Sequence, residues 1–165
     1  MRVTSLFLLT CLGMAFWGLA RRFFDRKWAL FAALVFIAHP SQVASAAFPS
    51  AINNLFSAIF IFVYCRASLE YLETATNPGL RLGFVALAGL LALWGYELGV
   101  VILPLSVLIA SWSRQHAAPW SRILILTGMT GVIVFLYILY RAQMGAIGEL
   151  VHPMLPRETS GPELS

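Results

Sequence analysis

Charged side chains are scarce in this chain. Asp, Glu, Lys and Arg make up 11% of its 165 residues, against about 25% in a typical soluble domain. Sixty per cent of the residues are apolar, and mean hydropathy is +0.83. This balance excludes an ordinary water-soluble globule and makes the chain an all-α, polytopic membrane protein, whose lipid bilayer is its first partner. Cysteine is also rare. Cys11 and Cys65 both fall inside apolar segments, so they read as small hydrophobes and not as a disulfide. No CxxC, HExxH, P-loop or GxGxxG spacing occurs, so the sequence points to no metal and no cofactor. Asn-x-Ser/Thr acceptors are missing too, which suits a bacterial inner membrane. No internal repeat is visible. The net charge of +4 forms no basic stripe interleaved with aromatics, and nucleic acid is not an expected partner. In a membrane protein such an excess sits in the cytoplasmic loops.

A spanning helix needs about 20 apolar residues, and the apolar runs divide accordingly. Spans are expected over 3–20, 28–47, 51–65 and 123–140, with a short polar tail over 141–165 that should be disordered. Arg2 and the apolar run behind it resemble a signal peptide with a cleavage site at Gly18-Leu19-Ala20. Arg21, Arg22, Arg26 and Lys27 follow at once and favour a retained anchor. The second span passes through Pro40, which removes a backbone donor. An alternative is a helix ending near His39 followed by an interfacial segment, Ser41–Asn54. Arg66–Arg81 reads as a polar loop, with Asn77-Pro78-Gly79 as a turn.

Leu82–Trp112 is too long for one simple span. At about 1.5 Å per residue it would run roughly 46 Å, against a hydrocarbon core of about 30 Å. Gly95, Gly99 and Pro104 weaken its middle. Two half-helices, 82–94 and 98–112, are one solution, and a tilted, kinked helix is the other. Four to six membrane-embedded helices follow. The positive-inside rule puts the N-terminus outside in both versions and cannot choose between them. In the first, Arg114 and Arg122 lie inside with Arg21, Arg22, Arg26, Lys27, Arg66 and Arg81, leaving Arg2, Arg141 and Arg157 outside.

Glu97 is the only charged residue of Leu82–Trp112. A carboxylate at the centre of a membrane helix costs roughly 2.5–3.5 kcal/mol on insertion scales. Such a group is kept for binding or paired with a partner such as His39. The Gly95-x-x-x-Gly99 pair around it has a plainer reading, since small residues at that spacing let helices approach closely. His39-Pro40 offers a group that titrates near neutral pH at a helix end, although an interfacial histidine is the simpler account. Asn53-Asn54 opens the third span and should cap its first turn. Trp17, Trp28, Trp94, Trp112 and Trp120 fall near span ends and read as an aromatic belt. Arg141 is a candidate for a lipid phosphate at a membrane face, or a plain interfacial anchor.

The run Phe31–Phe48, with His39-Pro40 at its centre and Asn54-Leu55 after it, resembles the "ALLFALHPxHVEAVAWxxGRxxLL" stretch of GT-C glycosyltransferases. The subgroup is the O-mannosyltransferase-like membrane proteins that often carry tetratricopeptide repeats. The run Leu90–Leu105 is similar to that family's "LLALLSKExAVTLPL", with Glu97 and Pro104 on matching positions. The resemblance implies transfer of a sugar from a polyprenyl-phosphate donor on the outer side of the membrane. In that family a divalent metal or basic residues steady the phosphate, and a carboxylate in the first outer loop acts as base. That loop is expected to be missing here. The family's remaining charged positions fall on Ala44, Ile52, Asn54 and Tyr96. The expectation is therefore an incomplete or degenerate relative. The alternatives are a non-enzymatic subunit packing against partner helices, and a small transporter component using Glu97 as its ion site.

Overall fold

A computed structural model describes residues 2–39, 52–74, 76–95, 97–115 and 118–151. All regular structure among them is helical. Helix α1 spans Arg2–Ala20, α2 Arg26–Ala38, α3 Ile52–Glu73 and α4 Pro78–Gly95. A 3-10 segment, Glu97–Val101, leads into α5, Ile102–Gln115, and α6 runs over Trp120–Val151. Among the described residues three helices are long and apolar enough to cross a membrane: Val3–Ala20, Ile52–Glu73 and Trp120–Met144. Helices α2, α4 and α5 are shorter. Residues Met1–Val134 form one compact unit and Phe135–Ser165 a second.

Helix α3 is the axis of the first unit, and α1, α4 and α5 all pack against it. Its contact face is lined by Leu55, Ser57, Tyr64, Ser68 and Leu72, each at most 2% exposed. Phe16, Phe36 and Phe62 join α1, α2 and α3 in one aromatic cluster. Phe16 stacks on Phe36 with ring centroids 4.6 Å apart, and Phe62 meets both edge-on at 5.3 and 5.7 Å. Such pairs contribute about 0.5–1.5 kcal/mol beyond area burial in water. Outward faces carry the apolar side chains expected against lipid, among them Phe7, Leu34, Leu108 and Phe135.

Several sequence boundaries need correction. For the second span, expected over 28–47, the described helix is Arg26–Ala38, which ends near His39 as the alternative had it. His39 adopts an extended conformation and closes the helix, its N–H donating to the Phe36 carbonyl at 3.3 Å. Pro40 and Ser41–Ala51 lie outside the described residues. Helix α3 does not stop at Arg66 but continues to Glu73. The charges expected to break it instead support it: Arg66 Nε donates to Glu70 Oε1 one turn on, at 3.1 Å, a spacing that favours a helix. Helix α6 likewise passes Arg141 and continues to Val151.

The most consequential feature is a reversal between α4 and α5. Gly99 lies directly over the backbone of Ala92 and Leu93, so close that a β-carbon there would stand 2.5 Å from the Ala92 carbonyl oxygen. Three residues earlier and later, Gly89 faces Ile102, whose Cδ1 lies 3.4 Å from the corresponding position. Residues seven apart on a straight α-helix are separated by about 10.5 Å along its axis, so the chain folds back here. A single kinked helix through Leu82–Trp112 is ruled out by that contact.

Candidate functional site

The reversal sorts polar residues to two ends of the first unit. One end collects the C-termini of α1, α3 and α5 and the N-termini of α2, α4 and α6. There Arg22 pairs with Glu70 at 3.0 Å and with Glu73 at 2.8 Å, while Arg66 also reaches Glu70. The C-terminal carbonyls of α3 have no helical partners, and two arginines supply them. Arg122 Nη1 donates to Tyr71 O at 3.3 Å and Thr74 O at 2.8 Å; Arg81 donates to Glu70 O at 3.4 Å and Thr76 O at 3.1 Å. Cations are also favoured near the negative end of a helix dipole. Phe23 meets Trp112 edge-on at 5.9 Å and Arg114 stacks on Trp120 at 4.6 Å, which ties α5 into the same end. The clustering matches the loop set that two antiparallel segments over Leu82–Trp112 would bring to one side.

The opposite end holds the candidate site. There α3 begins beside Asn53 and Asn54 and the 3-10 segment opens at Glu97, while α2 stops short of it at His39, with Phe36 stacked at the level of Phe16 and Phe62. Ser57 Oγ donates to the Ala92 carbonyl across the α3–α4 interface at 2.9 Å, fully buried. Tyr64 packs beside Gly89 on the same interface. This antiparallel register puts Asn54, one turn before Ser57, level with the turn at Gly95–Gly99. The 3-10 segment itself packs on α3.

The sequence assigned these residues partly different roles. Asn53 and Asn54 lie inside the first turn of α3, not ahead of it, so they do not occupy the capping position. Asn54 Oδ1 is buried and has no hydrogen-bond partner. A carbonyl oxygen in that condition costs about 1–3 kcal/mol and is a free acceptor beside the turn. His39 is exposed at the end of α2. The side chains of Gly95-to-Leu98, Glu97 included, lie outside the described residues, as does Pro40. Pro104 sits in the first turn of α5, where a missing N–H breaks no helical bond. Gly99 is a close-approach residue within the chain. Arg141 is exposed on α6 in the second unit. Cys11 and Cys65 are free thiols, half-buried and buried. Among the described residues no three His, Cys, Asp or Glu side chains are grouped to hold a metal.

Sequence reasoning missed a set of buried hydroxyls. Tyr64 OH and Thr130 Oγ1 are 2.6 Å apart between α3 and α6, and Thr130 also donates to Leu126 O at 2.8 Å. Ser106 on α5 donates to Leu103 O at 2.7 Å and is fully buried. Ser57, Tyr64 and Ser68 recur on one face of α3, and that helical spacing was the available signal.

No family model, curated protein or solved structure matches the chain.

Proposed function

We propose that this chain is a membrane-embedded part of a GT-C-type glycosyltransferase, and that the end opposite the arginines takes a polyprenyl-phosphate-linked sugar on the outer side of a bacterial inner membrane. In this reading the arginine-rich end faces the cytoplasm, and α4 and α5 enter and leave the bilayer from it. One observation carries the proposal. Asn54 and the turn opening at Glu97 belong to separate elements that the Ser57–Ala92 contact brings to one end of the helical unit, whereas His39 closes α2 near the level of Phe16 and Phe62, short of that end. These are also positions through which the sequence resembles that family.

The chemistry assigned to them is binding. A carboxylate in a low-dielectric setting accepts hydrogen bonds strongly from sugar hydroxyls. The spare Asn54 carbonyl accepts another, and His39 is suited to the donor's phosphate or to a proton. The outer-loop base of the family has no counterpart among the matched positions.

Photo-crosslinking tests this directly. A diazirine-bearing polyprenyl-phosphate sugar, added to membranes containing the full chain, should label peptides from the His39, Asn54 and Glu97 regions, and excess unlabelled donor should suppress the signal. Glu97→Gln should weaken retention by about tenfold, the scale of a hydrogen bond to a charged group. Labelling confined to the arginine end, or indifferent to unlabelled donor, would overturn the reading. The subunit alternative would pack partner helices through Gly95, Gly99 and neighbouring small residues; of these, Gly99 packs on Ala92 and Leu93 of its own chain.

A further inference from the structure

The arginine end has a second feature that the glycosyltransferase reading does not use. A groove of about 900 Å³ runs along the first turns of α4, with Arg81 and Glu70 at its mouth and Leu80, Phe84 and Leu87 along its wall. A second hollow of about 280 Å³ adjoins it on the α1 side, adds Ala15, Val63 and Arg66, and shares Ala67, Glu70 and Phe84 with the first. The α4 wall is recessed because Gly79 and Gly83 carry no side chain, and no atom lies within 4 Å of where their β-carbons would be.

Charge at the mouth is unbalanced. Arg81 and Glu70 line the groove and Arg66 the hollow beside it, while Arg22 and Glu73 line a separate hollow next to Trp112 and Arg122. The two carboxylates are taken up by Arg22 and Arg66, whereas Arg81 donates to the Thr76 and Glu70 carbonyl oxygens. One positive charge is left over. Arg66 uses Nε for Glu70 while its side chain stays 52% exposed. A half-exposed Arg66 in the adjoining hollow and Arg81 at the head of the apolar trough match a phosphodiester joined to an acyl chain.

We propose that this groove binds an anionic phospholipid of the leaflet at the arginine end. Its phosphate meets Arg66 and Arg81, and an acyl chain fills the trough beside Gly83, Phe84 and Leu87. A soluble phosphate would leave the apolar wall unused. A zwitterionic lipid would bring a cation to a mouth that is already positive. Anionic headgroups gain about fivefold in affinity per nearby arginine.

The test uses the purified full chain in detergent micelles, with binding of phosphatidylglycerol and phosphatidylcholine followed by native mass spectrometry. Phosphatidylglycerol should bind at least fivefold more tightly. Arg66→Gln should remove about fivefold of that affinity, and Arg26→Gln, the same charge change on α2 away from the groove, should leave it within twofold. Gly83→Phe fills the trough without touching charge and should abolish retention of phosphatidylglycerol. Equal binding of the two lipids overturns the proposal. So does full competition by glycerophosphate at the lipid's own concentration, or undiminished binding to Gly83→Phe. If Arg66→Gln fails to fold, the Gly83→Phe result and the two-lipid comparison still decide.

Discussion

Replacing Gly99 by alanine probes the reversal at its tightest point. The new methyl would stand 2.5 Å from the Ala92 carbonyl oxygen and 2.7 Å from both the Ala92 carbonyl carbon and the Leu93 Cα. All three are backbone atoms of α4, so no side chain can swing aside. Inserting a methyl into such a contact costs typically 1–3 kcal/mol, and the segment must move away from α3 to accept it. Gly128 is the matched control. It lies exposed on α6 with nothing within 4 Å of its β-carbon position, and glycine-to-alanine changes in open helical positions gain about 0.5–1 kcal/mol. The two substitutions therefore differ in sign. Thermal unfolding in one detergent, followed by tryptophan fluorescence, should show Gly99→Ala lowered by about 2–4 °C per kcal/mol lost and Gly128→Ala unchanged or raised. If Gly99→Ala melts with or above Gly128→Ala, the close approach of the two segments is not present in the protein.

Three further outcomes follow from side-chain contacts of α3. Ser57→Ala removes the hydroxyl that serves the Ala92 carbonyl and should cost about 1 kcal/mol by the same unfolding measurement; no loss would mean that α3 does not hold the turn. A double-mutant cycle on Tyr64→Phe and Thr130→Val should return a coupling near 0.6 kcal/mol, the average for buried hydrogen bonds between membrane helices. Additive effects would separate α6 from α3. A cycle on Arg22→Gln and Glu70→Gln should give about 0.2–1 kcal/mol at low salt, because both side chains are about a third exposed. That coupling should shrink as ionic strength rises, and a salt-independent value would contradict the exposed ion pair.

Helical class and membrane character were legible because they rest on composition and run length, which local sequence carries. The limits of α1 were legible for the same reason. The ends of α3 and α6 were not, because Arg66 and Arg141 were read as span boundaries. Arg66 is in fact accommodated by Glu70 on its own helix and by the open space at Gly18 on α1, and that second contact is non-local. The break around Gly95–Gly99 was visible as excess length plus two glycines and a proline, but its angle was not. A kink and a full reversal use the same residues, and only the contact of Gly99 with Ala92 separates them. At the candidate site the sequence named Asn54 from its place at a span start and assigned it a cap. The true start of α3 at Ile52 moves it inside the helix, where its free carbonyl acquires a different meaning. Arg81 and Arg122 were legible only as inner-side charges; their bonds to the Glu70 and Tyr71 carbonyls were not, since neither arginine belongs to α3.

The reversal has a direct topological test. With Cys11 and Cys65 replaced by alanine, single cysteines at Thr76 and Arg114 can be exposed to a membrane-impermeant maleimide in sealed vesicles of known orientation. Both should react from the same face of the membrane, together with a cysteine at Arg26. Modification of the Thr76 and Arg114 positions from opposite faces would mean that the chain crosses once between them, and the arrangement described here would be wrong.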